Sequence, residues 1–141
     1  MQSSSDLPGR SWSRSWIAGA MVALAFSLSP SLAHSGAYTP PVGSSERKAI
    51  FDAMRTLGDN HTRVFVVLSL KVEDGWAWTS VNPQSPDGSQ HYEPESALLE
   101  KIGGQWRVLD QPCGEGDCDA QSEVARIRAA YPQAPTDIFP N

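Results

Sequence analysis

Apolar residues crowd the stretch Val64-Phe65-Val66-Val67-Leu68, then alternate with polar ones through Ser69-Leu70-Lys71-Val72. After Glu73-Asp74-Gly75 a second run follows, Trp76-Ala77-Trp78-Thr79-Ser80-Val81. β-branched and aromatic residues on either side of a Gly-containing turn predict a β-hairpin. Its register has two readings. A two-residue Asp74-Gly75 turn sets Glu73 opposite Trp76 and Lys71 opposite Trp78, placing both tryptophans on a polar face as a candidate platform. A three-residue Glu73-Asp74-Gly75 turn sets Val72 opposite Trp76 and Leu70 opposite Trp78. One residue of slip exchanges the faces. The second register gathers Val66, Leu68, Leu70, Val72, Trp76 and Trp78 on one side. It is therefore the expected one, with both tryptophans packed beneath the first helix against Ile50, Met54 or Leu57.

That helix is predicted from Ala49, Ile50, Ala53, Met54 and Leu57, an apolar stripe with Phe51 at its edge. Ser44 or Ser45 caps it, Glu46 sits in its first turn, and Gly58 stops it. Asn82 to Pro94 is a long polar connection with turn residues Pro83, Pro86, Asp87 and Gly88. Ala97–Ile102 and Gln105–Leu109 flank Gly103-Gly104, a second hairpin with a two-residue turn. That turn pairs Glu100 with Arg107 and Leu99 with Val108, and puts Ala97, Leu99, Trp106 and Val108 on one face. Asp119 caps a last helix carrying Val124, Ile127 and Tyr131, ended by Pro132. Ile138 and Phe139 suit a tail that folds back and docks. The expected class is α+β: a helix on a four-stranded antiparallel meander, with a short C-terminal helix.

Composition changes this picture mainly at the start of the chain. Of 141 residues, the first 33 read as a secretory signal peptide. Arg10 and Arg14 precede the apolar run from Trp16 to Phe26, Pro30 breaks it, and Ser31-Leu32-Ala33 offers small residues for cleavage. A membrane anchor needs about 18 or more unbroken apolar residues; Ser27, Ser29 and Pro30 interrupt this one. The expected organisation is signal peptide 1–33, linker 34–43 and one domain 44–141, with no membrane attachment after cleavage. Removing the leader takes away Arg10, Arg14 and Asp6 and moves the net charge from −5 to −6. An acidic product is not built to hold phosphate backbones, which argues against a nucleic-acid partner. Cys113 and Cys118 are the two cysteines. In an oxidising compartment they have one intramolecular partner each, and a disulfide across so short a loop stiffens a connection. A redox pair is the alternative, at a spacing that is not C-x-x-C.

The segments Glu46–Arg55, Phe65-Val66-Val67, Leu70-Lys71-Val72, Gly75-Trp76-Ala77-Trp78 and Pro83-Gln84 together resemble a set of small exported proteobacterial proteins. These share an Asp-Ala-Leu/Met-Arg helix end, a Phe-Val-Val strand and a Gly-Trp-Ala turn exit. The resemblance covers residues 44–109, rests on core and turn residues, and implies location and fold without an activity. The layout is similar to cystatin-like or nuclear-transport-factor-2-like folds, an analogy that carries no function.

Candidate chemistry is sparse. Cleavage after Ala33 would make His34 the amino terminus, where its amine and ring nitrogens suit Cu(II); a plain linker is the simpler reading. Glu115, Asp117, Asp119 and Glu123 offer oxygen ligands around Cys118, at a spacing unlike an EF-hand; an acidic, solvated turn is simpler. Asn60-His61-Thr62 is formally a glycosylation acceptor. Asp52, His61, His91 and Tyr92 would supply acid–base groups if they met in a cup beside the helix. No nucleophile, zinc-protease or phosphate-loop motif is present. No cofactor, catalytic residue or metal ligand is therefore assigned. The sequence points to an exported, non-enzymatic protein that binds another envelope or extracellular protein, as an inhibitor or immunity protein would. The loop Pro83 to Pro94 is the expected contact surface, with Gln84, His91 and Tyr92 as contact residues. A small cup-shaped enzyme or ligand carrier is the alternative.

Overall fold

The structure is a computed structural model that describes residues 36–58, 60–114 and 116–141. The expected signal peptide, His34 and Glu115 lie outside the described residues. Within them, the chain is α+β: helix α1 (Ser45–Met54), strands β1 (Val64–Glu73), β2 (Trp76–Gln84), β3 (Glu95–Ile102) and β4 (Gln105–Asp110), and helix α2 (Ala120–Ala130). The strands form one antiparallel sheet in the order β1-β2-β3-β4. No described helix is long and apolar enough to cross a membrane.

Ser44 caps α1, its hydroxyl accepting the Arg47 N–H at 3.3 Å. The helix ends at Met54, before Gly58. Tighter bonds from Thr56 and Leu57 to Ala53 and Met54 carry the turn onward. Ile50, Phe51 and Met54 are buried with Leu70, Val72, Ala77, Val81, Ala97, Leu99 and Trp106, residues drawn from all four strands. The described part of the expected linker is not loose. Tyr38 exchanges two backbone hydrogen bonds with Val72, at 2.9 and 2.8 Å, and Thr39 Oγ1 donates to Leu70 O. The Tyr38 hydroxyl donates to Glu46, which pushes the phenol up to about 12. The segment before α1 thus closes part of the outer edge of β1, which would otherwise stay unpaired.

The first hairpin departs from the expected register. Its turn has two residues, Asp74 at φ 48° and Gly75 at φ 80°, so Glu73 pairs with Trp76 and Lys71 with Trp78. Positive φ at both central residues is the type I′ geometry, whose twist matches the strands; Asp tolerates that region better than most residues. The tryptophans consequently face away from α1. They do not form an exposed platform either, because the chain end covers them. Trp76, Trp78 and Leu98 are buried with Ile127, Ala134, Ile138 and Phe139. The Trp78 and Phe139 rings lie 5.3 Å apart, and those of Trp76 and Tyr131 6.3 Å apart. The sheet therefore has apolar cover on both faces. A bulge between Val67 and Ser69 rephases β1, so Phe65 and Val67 share the α1 face with Leu70 and Val72.

The second hairpin has the expected register: Glu100 pairs with Arg107 and Leu99 with Val108 around Gly103-Gly104. Asp119 caps α2, accepting the Ser122 N–H at 2.8 Å. The tail docks as expected, with Ile138 and Phe139 buried and Lys71 Nζ donating to Asp137 O.

Candidate functional site

The connection after β2 is shorter and more ordered than expected. β2 runs on to Gln84, and Gln84 forms an isolated bridge with His91. Pro83 lies within the strand; its carbonyl accepts the Tyr92 N–H, so the loop is tied at its base. At the tip, Asp87 accepts from the Ser85 and Ser89 hydroxyls and the Ser89 N–H. The Ser85 hydroxyl first, then the Ser89 bonds, hold the Asp87 carboxyl down at about 2. The expected contact residues therefore divide. Gln84 and His91 bridge each other, whereas Tyr92 places its ring 3.9 Å beneath the Arg63 guanidinium.

Arg63 leads to a cleft of about 560 Å³ at the end of the sheet away from the hairpin turns. Arg63 lies 3.5 Å from Glu95, and Asn60 Nδ2 donates to both Glu95 carboxylate oxygens at 3.1 and 2.8 Å. Asn60 is 3 % exposed, and its Oδ1 has no partner among the described residues. Two donors fix that amide's orientation, because its flipped form would set oxygen against a carboxylate. Glu93 adds an exposed carboxylate to the wall. The floor is Ser80 and Ser96, whose hydroxyls meet at 2.7 Å across β2 and β3. Trp78, Val124 and Pro140 supply apolar wall on the α2 side.

The cleft exists because the sheet forks. β3 begins at Glu95, but its pairing with β4 begins only at Leu98, opposite Asp110. Leu109 bulges, β4 stops, and Pro112 has no N–H to continue the ladder. The chain then swings into the cysteine loop, whose Cys113 and Gly114 line the opposite wall. Cys113 and Cys118 sit at bridging distance, Cα–Cα 5.9 Å. Glu123 accepts the Cys113 N–H at 3.0 Å and pairs with Arg126, which also grips Asp110 through two bonds of 3.0 Å. The Cys113 N–H first, then Arg126, keep the Glu123 carboxyl below its usual range. Asp110 and Glu123 raise Arg126 in turn. These bonds brace the wall where β4 leaves the sheet.

The other candidate chemistries find their groups occupied or apart. Asp52 is exposed and held by Lys48 and Arg55, whose bonds lower its pKa. His61 and His91 are exposed. Among the described residues no hydrogen bond or ion pair joins Asp52, His61, His91 and Tyr92 to one another. Asp119 is used as a cap and Glu123 as the brace. Among the described residues no group of three or more His, Cys, Asp or Glu is placed to hold a metal ion. Sequence reasoning missed Asn60, Arg63, Glu95 and Ser96 as site residues. The one available signal was Pro112 beside a Gly-rich cysteine loop, which marks the point where the ladder must end. No protein-family model, no curated protein and no solved structure matches this chain.

Proposed function

We propose that this is an exported, non-enzymatic protein of the periplasm or extracellular space that holds a segment of another envelope protein in the forked cleft. The observation that carries the reading is the cleft itself: about 560 Å³, within the range of binding sites, with charged groups on one wall and apolar groups on the other. The cysteine pair supports an oxidising compartment. The cleft is open-sided, Asp52 is held by Lys48 and Arg55, and Tyr92 lies against Arg63; these features favour a binder over a cup-shaped enzyme or ligand carrier. The burial of α1 with residues of all four strands supports the helix-on-meander layout, and with it the analogy to cystatin-like or nuclear-transport-factor-2-like folds. The test is affinity capture from envelope extract with a photo-crosslinking residue at Glu93, followed by mass spectrometry, with the same residue at Lys48 as the control. A partner adduct from Glu93 and none from Lys48 supports the proposal. Adducts from Lys48 alone, or none from either position, overturn it.

A further inference from the structure

We infer that the fork recognises its partner by strand addition: an extended peptide pairs with the open rung of β3 at Ser96. This rests on the proposed binding role and specifies the ligand's chemistry. Backbone groups in a β-strand point alternately to the two neighbours. The Lys101 N–H donates to Gly75 O, on the β2 side. By alternation Leu99, Ala97 and Glu95 also bond toward β2, and Glu100, Leu98 and Ser96 toward β4. Glu100 and Leu98 have β4 partners, Arg107 and Asp110. Ser96 has none: no β4 residue lies opposite it, its pairing with Ser80 is a non-hydrogen-bonded one by the same alternation, and it has no backbone hydrogen bond to a described residue outside the strands. Ser96 lines the cleft, as do Pro112 and Cys113 on the opposite wall. The fold thus presents an unused donor and acceptor on the wall of the cleft of about 560 Å³. Main-chain pairing of this kind supplies affinity, and pockets on alternate sides supply selectivity.

The two sides differ. Val124 and Pro140 offer apolar surface toward α2 beside the edge of the buried Trp78, while Glu93, Glu95 and Arg63 leave one excess negative charge on the other wall. The fitting segment is extended, with an apolar residue next to a Lys or Arg, because neighbouring side chains in a strand face opposite ways. The experiment selects displayed random heptapeptides on the disulfide-intact protein. The winners are then synthesised with a backbone N-methyl group at each position in turn. Enrichment of apolar–basic pairs, a loss of at least tenfold in affinity on methylating one particular amide, and slowed exchange of the Ser96 N–H in the complex support the inference. Peptides that compete at the cleft yet tolerate methylation everywhere and leave Ser96 exchange unchanged overturn strand addition while the binding role stands. Absence of any enriched sequence overturns both.

Discussion

Replacing Phe139 by alanine tests whether the tail, and not α1, buries the tryptophans. Phe139 is 2 % exposed and Trp78 3 % exposed. Burying a large apolar side chain contributes about 1.5–3 kcal/mol. The cavity left behind brings the expected cost of Phe139→Ala to about 3–5 kcal/mol. Small domains have about 5–15 kcal/mol in hand, so the loss is large and measurable by urea unfolding followed by far-ultraviolet circular dichroism. The decisive quantity is the coupling between Phe139→Ala and Trp78→Ala. Their rings lie 5.3 Å apart with planes inclined at 49°, and aromatic pairs contribute about 0.5–1.5 kcal/mol beyond area burial. Met54 belongs to the cluster on the other face of the sheet, so Met54→Ala should add to Phe139→Ala within about 0.5 kcal/mol. Should the alanine pair fail to fold, Phe139→Leu with Trp78→Phe gives the same cycle at lower cost. The reasoning is refuted if Trp78 couples to Met54 and is additive with Phe139, since the tryptophans would then lie beneath α1.

Three further outcomes are expected. Asp74→Val should destabilise by about 1–2 kcal/mol, the cost of a left-handed backbone at a β-branched residue, whereas Asp74→Asn should be nearly neutral; equal stability of both in urea would restore the three-residue turn. Glu123 has a lowered folded-state pKa, so its contribution is complete above the ordinary carboxylate range and is lost as the pH falls through the lowered value. The Cys113 amide resonance should therefore move on acidification, and a Glu123→Gln protein showing the same pH-dependent shift would contradict the assigned bond. Reducing Cys113–Cys118 should cost less than the roughly 2–4 kcal/mol of bridges closing longer loops; loss of the whole fold on reduction, seen by circular dichroism, would show that the loop does more than brace the cleft wall.

Much of the fold was legible where one local rule decided the outcome. Ser44 and Asp119 mark helix starts through side chains that accept backbone N–H groups, and Gly103-Gly104 fixes a register through its backbone freedom. The first hairpin was harder because alternation loses its meaning when both faces are covered. Val66, Leu68, Leu70 and Val72 look like one face, but the bulge at Leu68 places Val66 on the side opposite Leu70 and Val72. Nothing local announces that extra residue. The cleft was less legible still. Its lining runs from Leu57 to Pro140, so it arises from where β4 departs and where the tail returns. Gln84, His91 and Tyr92 stood out because they lie in a polar loop. Glu95 and Ser96 did not, because what distinguishes them is a missing neighbour.

From Trp76 to Thr79 every residue of β2 is buried, the odd positions beneath α1 and the even ones beneath the tail. Four consecutive side chains therefore have no water-facing position into which a substitution can be absorbed. Ala77 is fully buried in the core, where a larger residue would overpack its neighbours, and the Thr79 hydroxyl is committed to the Ser69 carbonyl at 3.0 Å. Sequence drift among variants of this chain is pushed outward, to exposed positions such as Lys48, Gln105 and Gln121. The hairpin exit would stay fixed even where no ligand touches it.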